Sequence, residues 1–111
     1  MRGVREFRVV WTGPAAADLE RIALFLLSES PLRAGSVVDR IVERVESLVE
    51  FPNRGRTPPE LRSIGDHTWR EIQETPWRII YRVGVSVVQV HAVLDGRRSL
   101  EDILMERILR S

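Results

Sequence analysis

Hydrophobic positions change period three times along this chain, and those changes order its elements. Residues 7–12 (Phe7-Arg8-Val9-Val10-Trp11-Thr12) alternate loosely and are rich in β-branched and aromatic side chains, which predicts a first strand. Thr12-Gly13-Pro14 then opens a helix, with Thr12 or Gly13 as cap and Pro14 in the first turn, where a missing N–H costs nothing. Asp18 and Glu20 near its start suit the positive end of the helix dipole. Ala15, Leu19, Ile22, Ala23 and Leu26 form one apolar stripe, and Leu24, Phe25 and Leu27 broaden it beyond what a core helix needs. Ser30-Pro31 repeats the start signal, and Ala34, Val37, Val38, Ile41, Val42, Val45, Leu48 and Val49 recur at helical spacing until Phe51-Pro52. Two helices so closely joined form an antiparallel hairpin.

Residues 52–66, with their prolines and glycines, read as a loop. Period-two patterning then returns. Residues 68–74, 77–83 and 85–94 predict three strands joined by tight turns, an antiparallel meander whose valine-rich last strand suits a central, doubly covered place. Ser99-Leu100-Glu101-Asp102 has capping-box spacing and begins a short C-terminal helix with the stripe Leu100, Ile103, Leu104 and Ile108. The expected fold is α+β in a single domain over residues 1–111. A helical hairpin packs on a four-stranded, antiparallel-rich sheet, with the N-terminal strand beside or within the meander.

Charge adds local detail. Net charge is only +1, so the chain is not a bulk-basic nucleic-acid protein. From Arg54 to Arg98, however, Arg54, Arg56, Arg62, Arg70, Arg78, Arg82, Arg97 and Arg98 outnumber Glu60, Asp66, Glu71, Glu74 and Asp95. All basic residues are arginine, the better group for bidentate contact with carboxylate or phosphate. Alternation puts Arg78 and Arg82 on one face with Ile80, leaving Trp77, Ile79 and Tyr81 to face the helices. The expectation is one hydrophobic and one cationic sheet face. Cysteine is absent, which excludes a disulfide framework and a thiol nucleophile and fits a reducing cytoplasm. No apolar run approaches the length of a membrane span, no signal-peptide layout is present, and no cofactor or metal motif emerges.

The order Thr12-Gly13-Pro14-Ala15, Leu48-Val49-Glu50-Phe51-Pro52, Gly55-Arg56, Pro59-Glu60-Leu61, Trp77-Arg78-Ile79-Ile80-Tyr81-Arg82-Val83 and Gly96-Arg97-Arg98 resembles the RelE/ParE superfamily of bacterial type II toxins. The resemblance runs from about residue 7 to 110, and the Phe-Pro, Gly-Arg, Pro-Glu-Leu series is more similar to the ParE branch. It implies a cytoplasmic toxin, silenced by a cognate antitoxin, that inhibits DNA gyrase without hydrolytic chemistry of its own. It also implies two alternatives: a RelE-like endonuclease acting on ribosome-bound mRNA, and a low-toxicity partner acting only with its antitoxin in autorepression. No membrane association is expected, nor sequence-specific DNA binding by this chain alone.

RNA cleavage needs a proton-transfer pair as well as cations on the phosphate. By resemblance to the nuclease branch, Arg70, Arg78 and Arg97 fall on cationic catalytic positions, whereas Ile72 and Ile103 stand where proton-transfer side chains are expected. Asp95 before Gly96-Arg97 lowers the local potential. His91, on the valine-rich strand with Gln89, Val93 and Asp95, reads as a packed histidine without chemistry. His67 beside Asp66 reads as solvated, and its pairing with Glu71 as a base is the minor alternative. Target-binding residues are therefore expected at Arg78, Arg82, Arg97 and Arg98. An amphipathic antitoxin segment is expected on Ile22, Phe25, Leu26 and Trp77.

Overall fold

The computed structural model describes residues 7–96 and Arg107. The chain forms β1 (Arg8–Trp11), α1 (Gly13–Glu29), α2 (Pro31–Glu46) with a 3₁₀ turn at Ser47–Val49, a one-turn helix α3 (Pro59–Arg62), β2 (Trp69–Glu74), β3 (Trp77–Val83) and β4 (Val87–Asp95). The expected C-terminal helix over residues 99–110 lies outside the described residues apart from Arg107.

Thr12 caps α1, its Oγ1 accepting from the Ala15 N–H at 3.2 Å. A single residue, Ser30, joins the two helices: its N–H donates to the Leu26 carbonyl and its own carbonyl accepts from the Arg33 N–H. So short a link forces α1 and α2 into the antiparallel hairpin. Ala34, Val37, Ile41 and Val45 recur at i, i+3/i+4 along α2 and are buried, while Leu24, Phe25 and Leu27 of α1 stay exposed.

The sheet order is β1-β4-β3-β2, with β1 parallel to β4 and the other pairs antiparallel. β4 is thus central, as its valines indicated. The hairpin covers one face, where Ile41, Val45, Leu48, Ile72, Ile79, Tyr81, Val88, Val90 and Val93 make the main core. Truncating a residue such as Ile41 to alanine there costs about 2–5 kcal/mol.

Two features depart from the sequence reading. The region 52–66 is not only loop, because α3 folds back over the far face and buries Leu61 with Ile80, Ala92 and Leu94 in a second small core. And β4 carries an irregularity: Ile80 pairs Ala92 but Tyr81 pairs Val90, so His91 is an extra residue. Simple alternation put Val93 and Asp95 on the face of His91. The bulge instead turns Val93 into the main core and leaves Ala92 and Leu94 to the far face.

Where β1 ends at Trp11, side chains take over its role along β4. The Asp18 carboxylate, 4% exposed, accepts from the Val93 N–H at 2.9 Å and from Arg107 at 2.7 and 2.8 Å, while Arg107 also donates to the His91 carbonyl. Buried backbone groups need partners, and this pair supplies them. Asp18 also accepts from Arg21. Its sequence position suggested only a dipole contact; its burial gives it a structural one.

Candidate functional site

The sheet face turned away from the hairpin carries the arginines, and it divides into two halves. In the first, Arg78 on β3 is 7% exposed. Its Nε and Nη2 donate to Glu71 on β2 at 2.8 and 2.9 Å, and its Nη1 and Nη2 donate to Glu60 on α3 at 2.8 Å each. Arg56 lies 3.6 Å from Glu71, and Gln73 donates to the same carboxylate at 3.1 Å. Burial pushes the Glu71 carboxyl up, but hydrogen bonds from Arg78 and Gln73 and the charges of Arg78 and Arg56 outweigh it, so it sits below the ordinary carboxylate range. Hydrogen bonds from the Glu60 and Glu71 carboxylates hold Arg78 firmly protonated against its burial.

The loop leading to α3 is fixed from the other face. The Tyr81 hydroxyl donates to the Pro52 carbonyl and accepts from the Gly55 N–H, both at 2.8 Å. A Cβ at Gly55 would lie 2.5 Å from that hydroxyl oxygen, so only glycine fits. Arg70 donates to the carbonyls of Asn53 and Gly55 at 3.2 and 2.8 Å, and Arg56 exchanges backbone hydrogen bonds with Glu71. The spaced residues Phe51-Pro52, Gly55-Arg56 and Pro59-Glu60-Leu61 therefore form one fastening that lays α3 over the sheet.

This corrects the expectation of a uniformly cationic face. Arg78 is neutralised and covered because Glu60 and Glu71 converge on it. Arg70 holds the loop through its carbonyls. The minor pairing of His67 with Glu71 also fails, since Glu71 is engaged by Arg78 and His67 Nδ1 sits 3.2 Å from Thr57 Oγ1. A cleft of about 670 Å³ opens beside the fastening, lined by Arg56, Pro59, Glu60, Gln73, Thr75, Pro76, Trp77, Arg78, Asp95 and Gly96. At its end the Gly96 N–H donates to the Pro76 carbonyl at 2.7 Å; Arg97 and Arg98, next in the chain, lie outside the described residues.

In the second half the face is open. Arg82 is exposed and its guanidinium stands 5.4 Å over the Trp69 ring. Trp69 and His91 meet edge to face with centroids 4.7 Å apart. Gln89 Oε1 accepts from Arg82 at 3.1 Å and lies 3.3 Å from His91 Nε2. Burial lowers the His91 pKa, and the charges of Arg82 and Arg107 lower it further, so the ring is neutral near pH 7.

Of the residues expected to meet an antitoxin, Phe25 is 57% exposed and Leu26 is half-buried. Ile22 is only 8% exposed and belongs to the main core, which takes it out of any surface patch. Trp77 is half-buried against that core and lines the cleft. Among the described residues no group of three or more His, Cys, Asp or Glu side chains is placed to hold a metal ion, and no helix is long and apolar enough to cross a membrane.

Comparison with known proteins agrees with this architecture. Residues 9–100 match the family model described as the ParE toxin of the type II toxin-antitoxin system, parDE. The chain is 34% identical over 92 residues to toxin RelE2 of Caulobacter vibrioides, spanning 82% of this chain and 97% of that one. It is 29% identical over 97 residues to the putative toxin Y4kP of Sinorhizobium fredii, spanning 87% and 96% respectively. Among solved structures, a chain of the chromosomal ParDE toxin–antitoxin system from P. aeruginosa superposes with a TM-score of 0.67 at 26% identity, covering 82% of this chain and 97% of that one. The toxin–antitoxin complex RelBE2 from Mycobacterium tuberculosis shares the fold, with a TM-score of 0.59 at 20% identity and coverage of 81% and 98%. With the family model spanning the hairpin, the sheet and the whole fastening, this chain belongs to the ParE toxin family of type II toxin–antitoxin systems.

Proposed function

We propose that this toxin inhibits DNA gyrase by binding it, rather than by cutting RNA, and that a cognate antitoxin silences it. The observation that carries the reading is the state of Arg78. A cationic group can stabilise a phosphorane-like transition state only if its donors are aimed at the reacting phosphate. The four donations of Arg78 go to Glu60 and Glu71, and those of Arg70 go to loop carbonyls. What remains for a target is the open half of the sheet face around Arg82, together with Arg97 and Arg98, which stay part of the proposal. The proposed place of action is the cytoplasm.

For the antitoxin, the proposed seat is the outer ridge of α1, where Leu24, Phe25 and Leu27 are more than half exposed beside Leu26. An amphipathic helix laid on that ridge would bury them. The RelE-like alternative keeps one specific support, the 34% identity to a toxin named RelE2. Induced expression of the lone chain in bacteria separates the readings. Growth arrest with altered plasmid supercoiling and intact messages supports gyrase inhibition; arrest with cleaved messages and normal supercoiling replaces it by the ribosomal reading.

A further inference from the structure

The open half of the far face is built as a plate of interlocked side chains. Trp69 on β2, Arg82 on β3 and Gln89 and His91 on β4 come from three adjacent strands, and each touches at least one of the others. Alternation puts Gln89 and His91 on this face together, and the bulge at His91 then adds Ala92 to it and returns Val93 to the core. Side chains already held by one another lose little freedom when a partner binds. Tryptophan and arginine are also the residues that most often dominate protein interfaces.

The occupant follows from charge and ring geometry. Arg8 on β1 pairs in register with Val87, two residues before Gln89, and is exposed, so this half carries Arg8 and Arg82. Among the described residues, the carboxylates Glu60 and Glu71 of the same face lie in the other half and are engaged by Arg78. The plate therefore attracts negative charge. A nucleic acid would use Trp69 for base stacking, but the Arg82 guanidinium already stands over that ring at 5.4 Å. A carboxylate needs only the outward N–H groups of Arg82.

We infer that Trp69, Arg82, Gln89 and His91 form a docking plate for an acidic, extended segment of the toxin's protein target. The inference rests on the reading of this toxin as a protein-binding inhibitor and names the surface and the partner chemistry it uses. It is separate from the α1 ridge, which lies across the sheet, so target and antitoxin would occupy opposite sides of the molecule.

The test compares wild type with Arg82→Glu and Trp69→Ala, each checked by thermal melting. A ten-residue polyglutamate peptide is titrated while the Trp69 indole and Gln89 side-chain amide are followed by NMR. A single-stranded RNA of equal length is titrated in parallel. Expected are shifts of both signals with polyglutamate in the wild type, lost in Arg82→Glu, a weakened Gln89 shift in Trp69→Ala, and a smaller response to RNA. Absence of shifts with the peptide, or an equal or stronger response to RNA, overturns the inference. In a gyrase supercoiling assay Arg82→Glu should inhibit at least about tenfold less well than wild type. Full inhibition by a folded Arg82→Glu also overturns it. If wild type leaves gyrase untouched while polyglutamate still binds the plate, the gyrase reading fails and the plate stands.

Discussion

Arg78 and Arg82 sit four residues apart on one strand and one face, yet their surroundings give them opposite roles. Arg78 lies between two carboxylates, one of them wholly buried, under a turn of helix. Arg82 lies against a tryptophan ring and an amide, open to solvent. A guanidinium with four of its five N–H groups held by internal carboxylates organises the fold; one resting on an aromatic ring is available to a partner. Charge counted along the sequence cannot separate the two. Position relative to α3 does.

The contrast is sharpest in stability. Arg78→Ala removes the main partner of Glu71 and leaves a buried carboxylate with only the Gln73 amide and Arg56 at 3.6 Å, so urea unfolding should show a loss of about 3–5 kcal/mol. Arg82→Ala should lose about 1 kcal/mol or less by the same assay, the worth of an exposed cation–π contact. Equal losses at both sites would erase the distinction between the halves.

The loop that carries α3 offers the next test. Tyr81→Phe leaves the Pro52 carbonyl and the Gly55 N–H without their partner, for a cost of about 1–3 kcal/mol in denaturant unfolding. Because that loop presents Glu60, the same variant should raise hydrogen exchange across residues 52–62. A variant with unchanged exchange would mean that α3 is held by Leu61 packing alone.

Acid should separate the halves more gently. The folded Glu71 carboxyl lies below its ordinary value of 4.5, so unfolding takes up a proton there. Its contribution is complete above pH 4.5 and is lost as pH falls through the folded value. The folded His91 ring likewise lies below its ordinary 6.5, so its contribution is complete above pH 6.5 and declines as pH drops beneath that. His91→Gln should therefore flatten the stability profile just below pH 6.5 while leaving the fall below pH 4.5 in place. The opposite pattern would show that the acidic groups were assigned wrongly.

Most of the fold was legible because its signals are periodic. The α1 and α2 stripes, the Thr12 cap, the Ser30-Pro31 junction and the valine run of β4 each report a local pattern that survives packing. The site was less so. Glu60 meets Arg78 across 18 residues, and no spacing rule connects a Pro-Glu-Leu turn to a strand arginine. Asp18 lies 75 residues from the Val93 N–H it satisfies, and in the first turns of a helix it looked like a dipole residue. The extra residue at His91 was hidden by the apolar run around it, Val90 before and Ala92-Val93 after, which read as strand on both faces. Ile22 shows the converse error: helical spacing named it correctly as apolar, but only packing decides whether such a residue faces core or partner.

On the proposed reading the Arg78 cluster fastens the fold and does no chemistry on a target. Replacing it as a unit tests this most directly, using Glu60→Leu, Glu71→Leu and Arg78→Met together, since a buried ion cluster is often exchangeable for apolar side chains of similar volume. With folding confirmed by a cooperative melt, growth inhibition on induction is then scored against wild type. The folded triple variant should still arrest growth. A folded triple variant that no longer arrests growth would show that the guanidinium of Arg78 acts on the target, and would contradict that reading.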